Sequence, residues 1–129
     1  MLGASVPILR SFDEARARVF YLDFLGFEVV FEHRFEAGMP LYLGVRHGDC
    51  VLHLSEHYGD GAPGAVIRIP DDDVAAFAAA LRAKGFENAR PGEPQPTPWG
   101  TREFALHDPA HNRLTFFSPL AELNNDAAA

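Results

Sequence analysis

The sequence repeats itself at a fixed spacing, and that repeat limits the folds open to it. Gly26, Phe27 and Glu28 recur as Gly85, Phe86 and Glu87, an offset of 59 residues (85 − 26), and the same offset lays Ile8 on Ile67. The order of predicted elements recurs as well. Val6 to Arg10 is a β-branched and aliphatic run, followed by Ser11 and Glu14 at capping-box spacing and a helical stretch to Leu25, with Gly26 as its C-cap. Phe27 to Phe31, Leu41 to Val45 and Val51 to Ser55 then read as strands, the last two joined by a turn at His47, Gly48 and Asp49.

After a loop containing Gly59, Asp60, Gly61, Pro63 and Gly64, a strand runs from Ala65 to Ile69, and Asp71 to Asp73 place carboxylates where they suit the dipole of a second helix. Val74, Phe77, Ala78 and Leu81 share one helical stripe. Gly85 stops it, Phe86 starts a strand, and Thr101 to His107 and Arg113 to Phe117 complete the second set. The chain therefore reads as two copies of one β-α-β-β-β unit, the first over about 5–58 and the second over about 64–118, with a flexible tail at about 121–129. The fold class is α+β. Neither half is large enough to be secure alone, so the two are expected to share one core in a single domain.

Composition narrows the function classes. With 129 residues, 47% hydrophobic and 22% charged, the chain suits one soluble globular domain rather than a disordered or fibrous protein. No apolar run approaches the roughly 18 residues that span a bilayer. The N-terminal apolar segment lacks a basic start and soon meets Arg10, Asp13 and Glu14, so no targeting address is visible. A lone Cys50 excludes an intramolecular disulfide or a Cys-rich metal cage and fits a reducing cytoplasm. The net charge of −7 and the scattered arginines argue against nucleic acid and anionic membranes as partners, and favour a cationic small ligand. No phosphate-binding glycine loop, nucleotide fingerprint or Ser-His-Asp order is present.

The run Pro98, Trp99, Gly100, Thr101, Arg102, Glu103, Phe104, followed by Asp108, Pro109, Ala110, His111, Asn112, resembles the bleomycin resistance proteins of the glyoxalase and extradiol dioxygenase superfamily, also called vicinal oxygen chelate proteins. Val6 to Leu9 and the Phe20, Tyr21, Leu25, Gly26, Phe27 pattern extend the resemblance over residues 5 to 118. It implies paired units whose curled mixed sheets form a cleft, completed in a homodimer. Pro7 resembles the proline at which the first strand crosses to a partner chain; a proline there also simply protects an edge strand. In the resistance family the tryptophan matching Trp99 and a second aromatic, by position most like Phe35, bracket the planar bithiazole of the ligand. Ser55 falls where the family has a ligand-contacting serine. One departure is His111, which replaces the glycine of the usual Asp-Pro-x-Gly-Asn turn and is strained there if the position needs a positive φ.

Members of the superfamily that use a metal carry its ligands at the first and last strands of each unit. Here those positions fall on Val6, on Gly64 or Ala65, and on Thr115, with His53 as the twin of Thr115 in the first unit. One imidazole does not replace the usual three protein ligands, so no metal and no cofactor is expected. An unconventional site from His47, His53 and His57 with Glu56 is the alternative, but His53 and Ser55 share a strand face while Glu56 and His57 lie in the loop beyond it.

Strand alternation sorts the rest. Arg102, Phe104 and Leu106 share one face, and Thr101, Glu103, Ala105 and His107 the other. Large apolar residues belong against the helix, so the second face, with Thr115 and Phe117 of the next strand and Val51, His53 and Ser55 of the first unit, is expected to line the cleft. The alternative is that these residues cover a dimer surface or face solvent, and that Trp99 is a structural lid. The leading function is metal-independent sequestration of a bleomycin-type antibiotic or a related cationic planar molecule. Its rivals are an enzyme of the same fold (a lyase, isomerase or glutathione transferase, or a metal-free enzyme with Glu103 as general base) and a binding module for an unrelated metabolite.

Overall fold

Each copy of the repeat forms its own four-stranded sheet. The structure is a computed structural model and describes residues 1–120, so the tail expected at about 121–129 lies outside the described residues. In the first sheet β1 (Ile8–Arg10), β2 (Glu28–His33), β3 (Tyr42–His47) and β4 (Cys50–Ser55) are ordered β1-β4-β3-β2. β1 is parallel to β4, and the other neighbours are antiparallel. In the second sheet β5 (Val66–Pro70), β6 (Gln95–Pro96), β7 (Thr101–His107) and β8 (Arg113–Pro119) follow the equivalent order β5-β8-β7-β6. The Arg113 amide donates to Ala65 at 2.8 Å and the Asp71 amide to Phe117 at 2.9 Å. Both chains rise in number together along these bonds, as in a parallel pair.

The described residues divide into two compact units, Met1–Ile67 with His107–Arg113, and Arg68–Leu106 with 114–120. In the first, α1 (Glu14–Arg18) begins after Asp13, whose extended backbone and side-chain bond to the Arg16 amide at 3.1 Å make it the cap. The cap expected at Ser11 is corrected: its amide instead donates to Ser55 at 2.8 Å and adds a rung to the β1–β4 ladder. Glu14, freed from a capping box, pairs with Arg18 at 2.9 Å and with Arg34.

The expected α-helix to Leu25 also changes character, because Val19–Phe24 is a π-helical turn. The Leu25 amide reaches Phe20, five residues back, at 3.0 Å. From Asp13 to Gly26 there are 13 residue steps, against 12 from the second capping aspartate, Asp73, to Gly85 (26 − 13 and 85 − 73). The wider turn absorbs the extra residue and lets both helices end on a glycine of positive φ, +86° and +74°. Phe20, Tyr21 and Phe24 of this turn are buried, as are Leu9, Leu43, Val45, Leu52 and Leu54, the inward series of β1, β3 and β4.

In the second unit α2 (Val74–Ala83) is capped by Asp73, whose side chain accepts from the Ala76 amide at 3.1 Å. Val74, Ala78 and Leu81 are buried, and the Phe77 ring lies 5.3 Å from Phe116 and 6.1 Å from Phe104. The strand expected to start at Phe86 is replaced by a 3-10 turn, Glu87–Ala89, and pairing resumes only at the two residues of β6. Pro91, Pro94, Pro96 and Pro98 supply no amide hydrogens to a ladder, which leaves this edge short.

Candidate functional site

The Asp108–Asn112 run, half of the most recognisable part of the sequence, is structural. One Asp108 oxygen accepts the amides of Ala110 and Asn112 at 2.9 and 2.8 Å; the other accepts the Asn112 side chain at 2.9 Å and the Tyr21 phenol at 2.6 Å. Asn112 is wholly buried, donating to the Arg10 carbonyl at 2.9 Å and accepting the Ala65 amide at 3.1 Å, so it ties β1 to the approach of β5. Burial, then the Asp108 charge beside it, keeps the Tyr21 phenol protonated well above its ordinary range.

The other half, Pro98 to Phe104, builds an exposed array in the second unit. Phe104 and Leu106 of β7 are buried, and Glu103 falls on the opposite series. Before β7 the loop is pinned by Thr97 and Thr101, whose hydroxyls lie 2.8 Å apart, and by Gly100 at φ +90°. Trp99 is thereby left 66% exposed, with its indole N–H donating to Glu103 Oε2 at 3.1 Å. The same oxygen accepts the Thr101 hydroxyl at 2.7 Å and Arg68 Nη2, while Oε1 accepts Arg68 Nη1 at 3.2 Å. The Arg68 guanidinium lies 4.5 Å from the centre of the Phe117 ring.

Trp99, Glu103 and Phe117 are thus brought together, by Arg68 and Thr101. Arg68 is not among the expected site residues, yet it is legible as the one cation between Ile67 and Ile69 in β5. Arg68 above all, then Thr101 and Trp99, holds the Glu103 carboxyl down at about 2 against the opposing effect of partial burial. A carboxylate so weakly basic is a poor proton acceptor near neutrality, which counts against Glu103 as a general base. Thr115 is buried on β8, and His107 is exposed at the end of β7.

The first unit carries a separate aromatic group. Ile8, His53, Gly44 and Phe31 form one row across the sheet. A Cβ on Gly44 would lie 2.3 Å from the Phe31 ring, so the glycine lets that ring cross the strand onto His53, at 5.1 Å edge-on, and Tyr42, at 6.0 Å stacked. The Tyr42 hydroxyl and His53 Nδ1 are 2.8 Å apart. Phe35 is 71% exposed and stands edge-on to His33 at 4.7 Å and His57 at 6.1 Å. Ser55 is wholly buried, donating to Asp60 at 2.9 Å and accepting the His57 amide at 3.1 Å, which anchors the glycine-rich loop. The Pro7 carbonyl accepts the His53 amide at 3.0 Å, beginning the pairing of β1 with β4.

The donor set does not fit a divalent metal. Val6 and Ala65 offer no side-chain ligand, His53 is engaged with Tyr42, and the His47 ring packs 5.4 Å from Phe27. Among the described residues no three His, Cys, Asp or Glu side chains converge on a point that could hold an ion. A hollow of about 200 Å³ in the first unit is lined by Ser11, Phe12, Asp13, Arg16, Tyr21 and Asp108, but its two carboxylates are already bonded to the protein.

A family model described as glyoxalase superfamily protein matches residues 1–122. The chain belongs to the glyoxalase superfamily. No curated protein matches the sequence. Among solved structures, this glyoxalase-superfamily chain is similar to a bleomycin-binding protein complexed with bleomycin, at 27% identity and a TM-score of 0.71 over 91% of this chain and 98% of that one. A bleomycin resistance determinant encoded on the transposon Tn5 is 26% identical, with a TM-score of 0.70 over 92% and 98%. The antibiotic-binding protein TnmS3 from Streptomyces sp. CB03234 shares the fold at 22% identity and a TM-score of 0.67, covering 92% and 98%. The two equivalent four-stranded sheets agree with that fold. No helix among the described residues is long and apolar enough to cross a membrane.

Proposed function

We propose that this glyoxalase-superfamily chain binds and sequesters a bleomycin-type glycopeptide antibiotic, or a related bulky cationic planar molecule, without a metal and in the cleft of a cytoplasmic homodimer. The observation that carries the reading is the exposed Trp99 indole, fixed by its bond to Glu103 rather than packed into the core. A large apolar ring held at the surface in one orientation loses little entropy when it stacks on a flat ligand. Phe35, equally exposed on the first unit, is the second ring assigned to the ligand, with His53, His107 and Phe117 assigned beside the rings; the expectation that Ser55 and Thr115 touch the ligand is corrected, because both are buried and the Ser55 hydroxyl is spent on Asp60 and the His57 amide. The net charge of −7 draws a cationic tail toward the protein. Likeness to two bleomycin proteins over nearly the whole chain supports the same ligand class.

The test is calorimetric titration of the intact chain with metal-free and copper-bound bleomycin, beside a panel of unrelated cationic drugs. Saturable binding of bleomycin at one stoichiometry, tighter than to the panel, is expected. Equal, weak heats for every compound would overturn the reading.

A further inference from the structure

Arg68 sits in the second unit the way a bound ligand sits. Its guanidinium has an aromatic face 4.5 Å away, on Phe117, and both terminal nitrogens on the Glu103 carboxylate. A ring face and an in-plane carboxylate are the two features that recognise a flat, delocalised cation. The side chain comes from β5, at the edge of its sheet, and is 44% exposed, whereas the Glu103 side chain beneath it is only 13% exposed. Exposed ion pairs are weak because water and other ions compete for both partners. The carboxylate, by contrast, does not depend on Arg68 for its place: two of its four hydrogen bonds, from Thr101 and Trp99, remain when the arginine leaves.

We propose that the Phe117 ring and the Glu103 carboxylate form a subsite for a planar cation of the guanidinium or amidinium class, which Arg68 fills as an internal stand-in and which a ligand enters by displacing it. Arg68 is then a specificity-determining residue. A flat cation regains both interactions that the arginine gives up, while a neutral ring regains only the stacking and leaves the carboxylate uncompensated. The inference deepens the antibiotic-binding reading and rests on it for the identity of the full ligand, but the subsite itself is tested without any antibiotic.

Benzamidine and its neutral near-isostere benzamide are the probes, titrated into the full chain and into Arg68→Ala and Arg68→Ala/Glu103→Gln while Trp99 fluorescence is followed. Benzamidine should bind Arg68→Ala at least about tenfold more tightly than the parent, and the gain should vanish in the double variant. Benzamide, which regains only the stacking on Phe117, should gain clearly less from Arg68→Ala than benzamidine does. Identical benzamidine affinity in parent and Arg68→Ala, or an equal gain for benzamide, would overturn the subsite. Benzamidine binding to Arg68→Ala together with no bleomycin binding to the parent would keep the subsite and remove the antibiotic reading. Should Arg68→Ala fold poorly by circular dichroism, Arg68→Thr suits a strand better, still clears the Phe117 ring and the Glu103 carboxylate, and the same comparison applies.

Discussion

Asp108 accepts the Tyr21 phenol at 2.6 Å across 87 residues of sequence, with both groups buried. Tyr21→Phe therefore removes a donor from a buried carboxylate and is expected to cost about 1–3 kcal/mol, read as a lower urea midpoint with an unchanged slope. The same pair sets an alkaline limit. The folded phenol titrates above its ordinary value of 10, so the unfolded chain loses that proton first and stability falls as the pH rises past about 10. Urea melts from pH 8 to 11 should show a smaller alkaline loss in Tyr21→Phe than in the parent. Parallel curves would mean that Tyr21 is not the group responsible.

His111 has φ +65°, the one positive value outside glycine among the described residues. The left-handed region costs an ordinary residue roughly 1–2 kcal/mol, and glycine gives part of that back through its freer unfolded chain. His111→Gly should raise stability by about 0.5–1 kcal/mol without disturbing the turn, whose bonds are made by Asp108, Asn112 and backbone amides. A midpoint lower than the parent's would show that the imidazole makes an interaction worth more than the strain.

The sequence carried the repeated order of strands and helices along the chain, the terminal glycines and β7 to the residue, because period-two alternation and positive-φ glycines leave local marks; it did not carry the strand order within each sheet. Nor did it carry the π-helical turn. Offsets of 59 at the glycines and 60 at the capping aspartates (73 − 13) differ by one residue, and a mismatch of one does not say where along the helix the extra residue is taken up; it sits in the widened turn. The cap at Asp13 was hidden for a related reason: Ser11 and Asp13 are equally good cap types, and a tertiary bond, from the Ser11 amide to Ser55, decides between them. In the candidate site Trp99 and Glu103 were legible as neighbours in one motif. Arg68, 35 residues away from Glu103, joins them only through the pairing of strands.

Glu103 gives the array an acid limit. Its folded carboxyl lies at about 2 against an ordinary 4.5, so the stabilisation that follows from ionisation is complete above 4.5 and is lost as the pH falls from there toward 2. Glu103→Gln should flatten that part of the pH–stability curve, by a modest amount because its arginine partner is open to solvent. Indole fluorescence of the folded parent should change only as the pH approaches about 2, where the folded carboxyl takes up its proton, and not in the variant, since Trp99 donates to this carboxylate. A folded parent whose indole signal stays level as the pH passes through about 2 would break the link between the two residues.

Trp99 is the sole tryptophan of the chain, so its emission reports one site without deconvolution. Stacking on a flat ring is worth about 0.5–1.5 kcal/mol beyond area burial, and each Å² of apolar surface that the ligand no longer covers after truncation adds about 25 cal/mol. Trp99→Ala should therefore weaken bleomycin binding at least about tenfold, the equivalent of about 1.4 kcal/mol. Trp99→Phe keeps a ring but not the N–H that Glu103 accepts, so it should retain part of the affinity and lose the fixed orientation. Because the indole is two-thirds exposed, its truncation should leave the folded state nearly as stable as before. Full affinity in a well-folded Trp99→Ala variant would make the indole a bystander and move the ligand to another face; unfolding of the variant would make it a lid on the core.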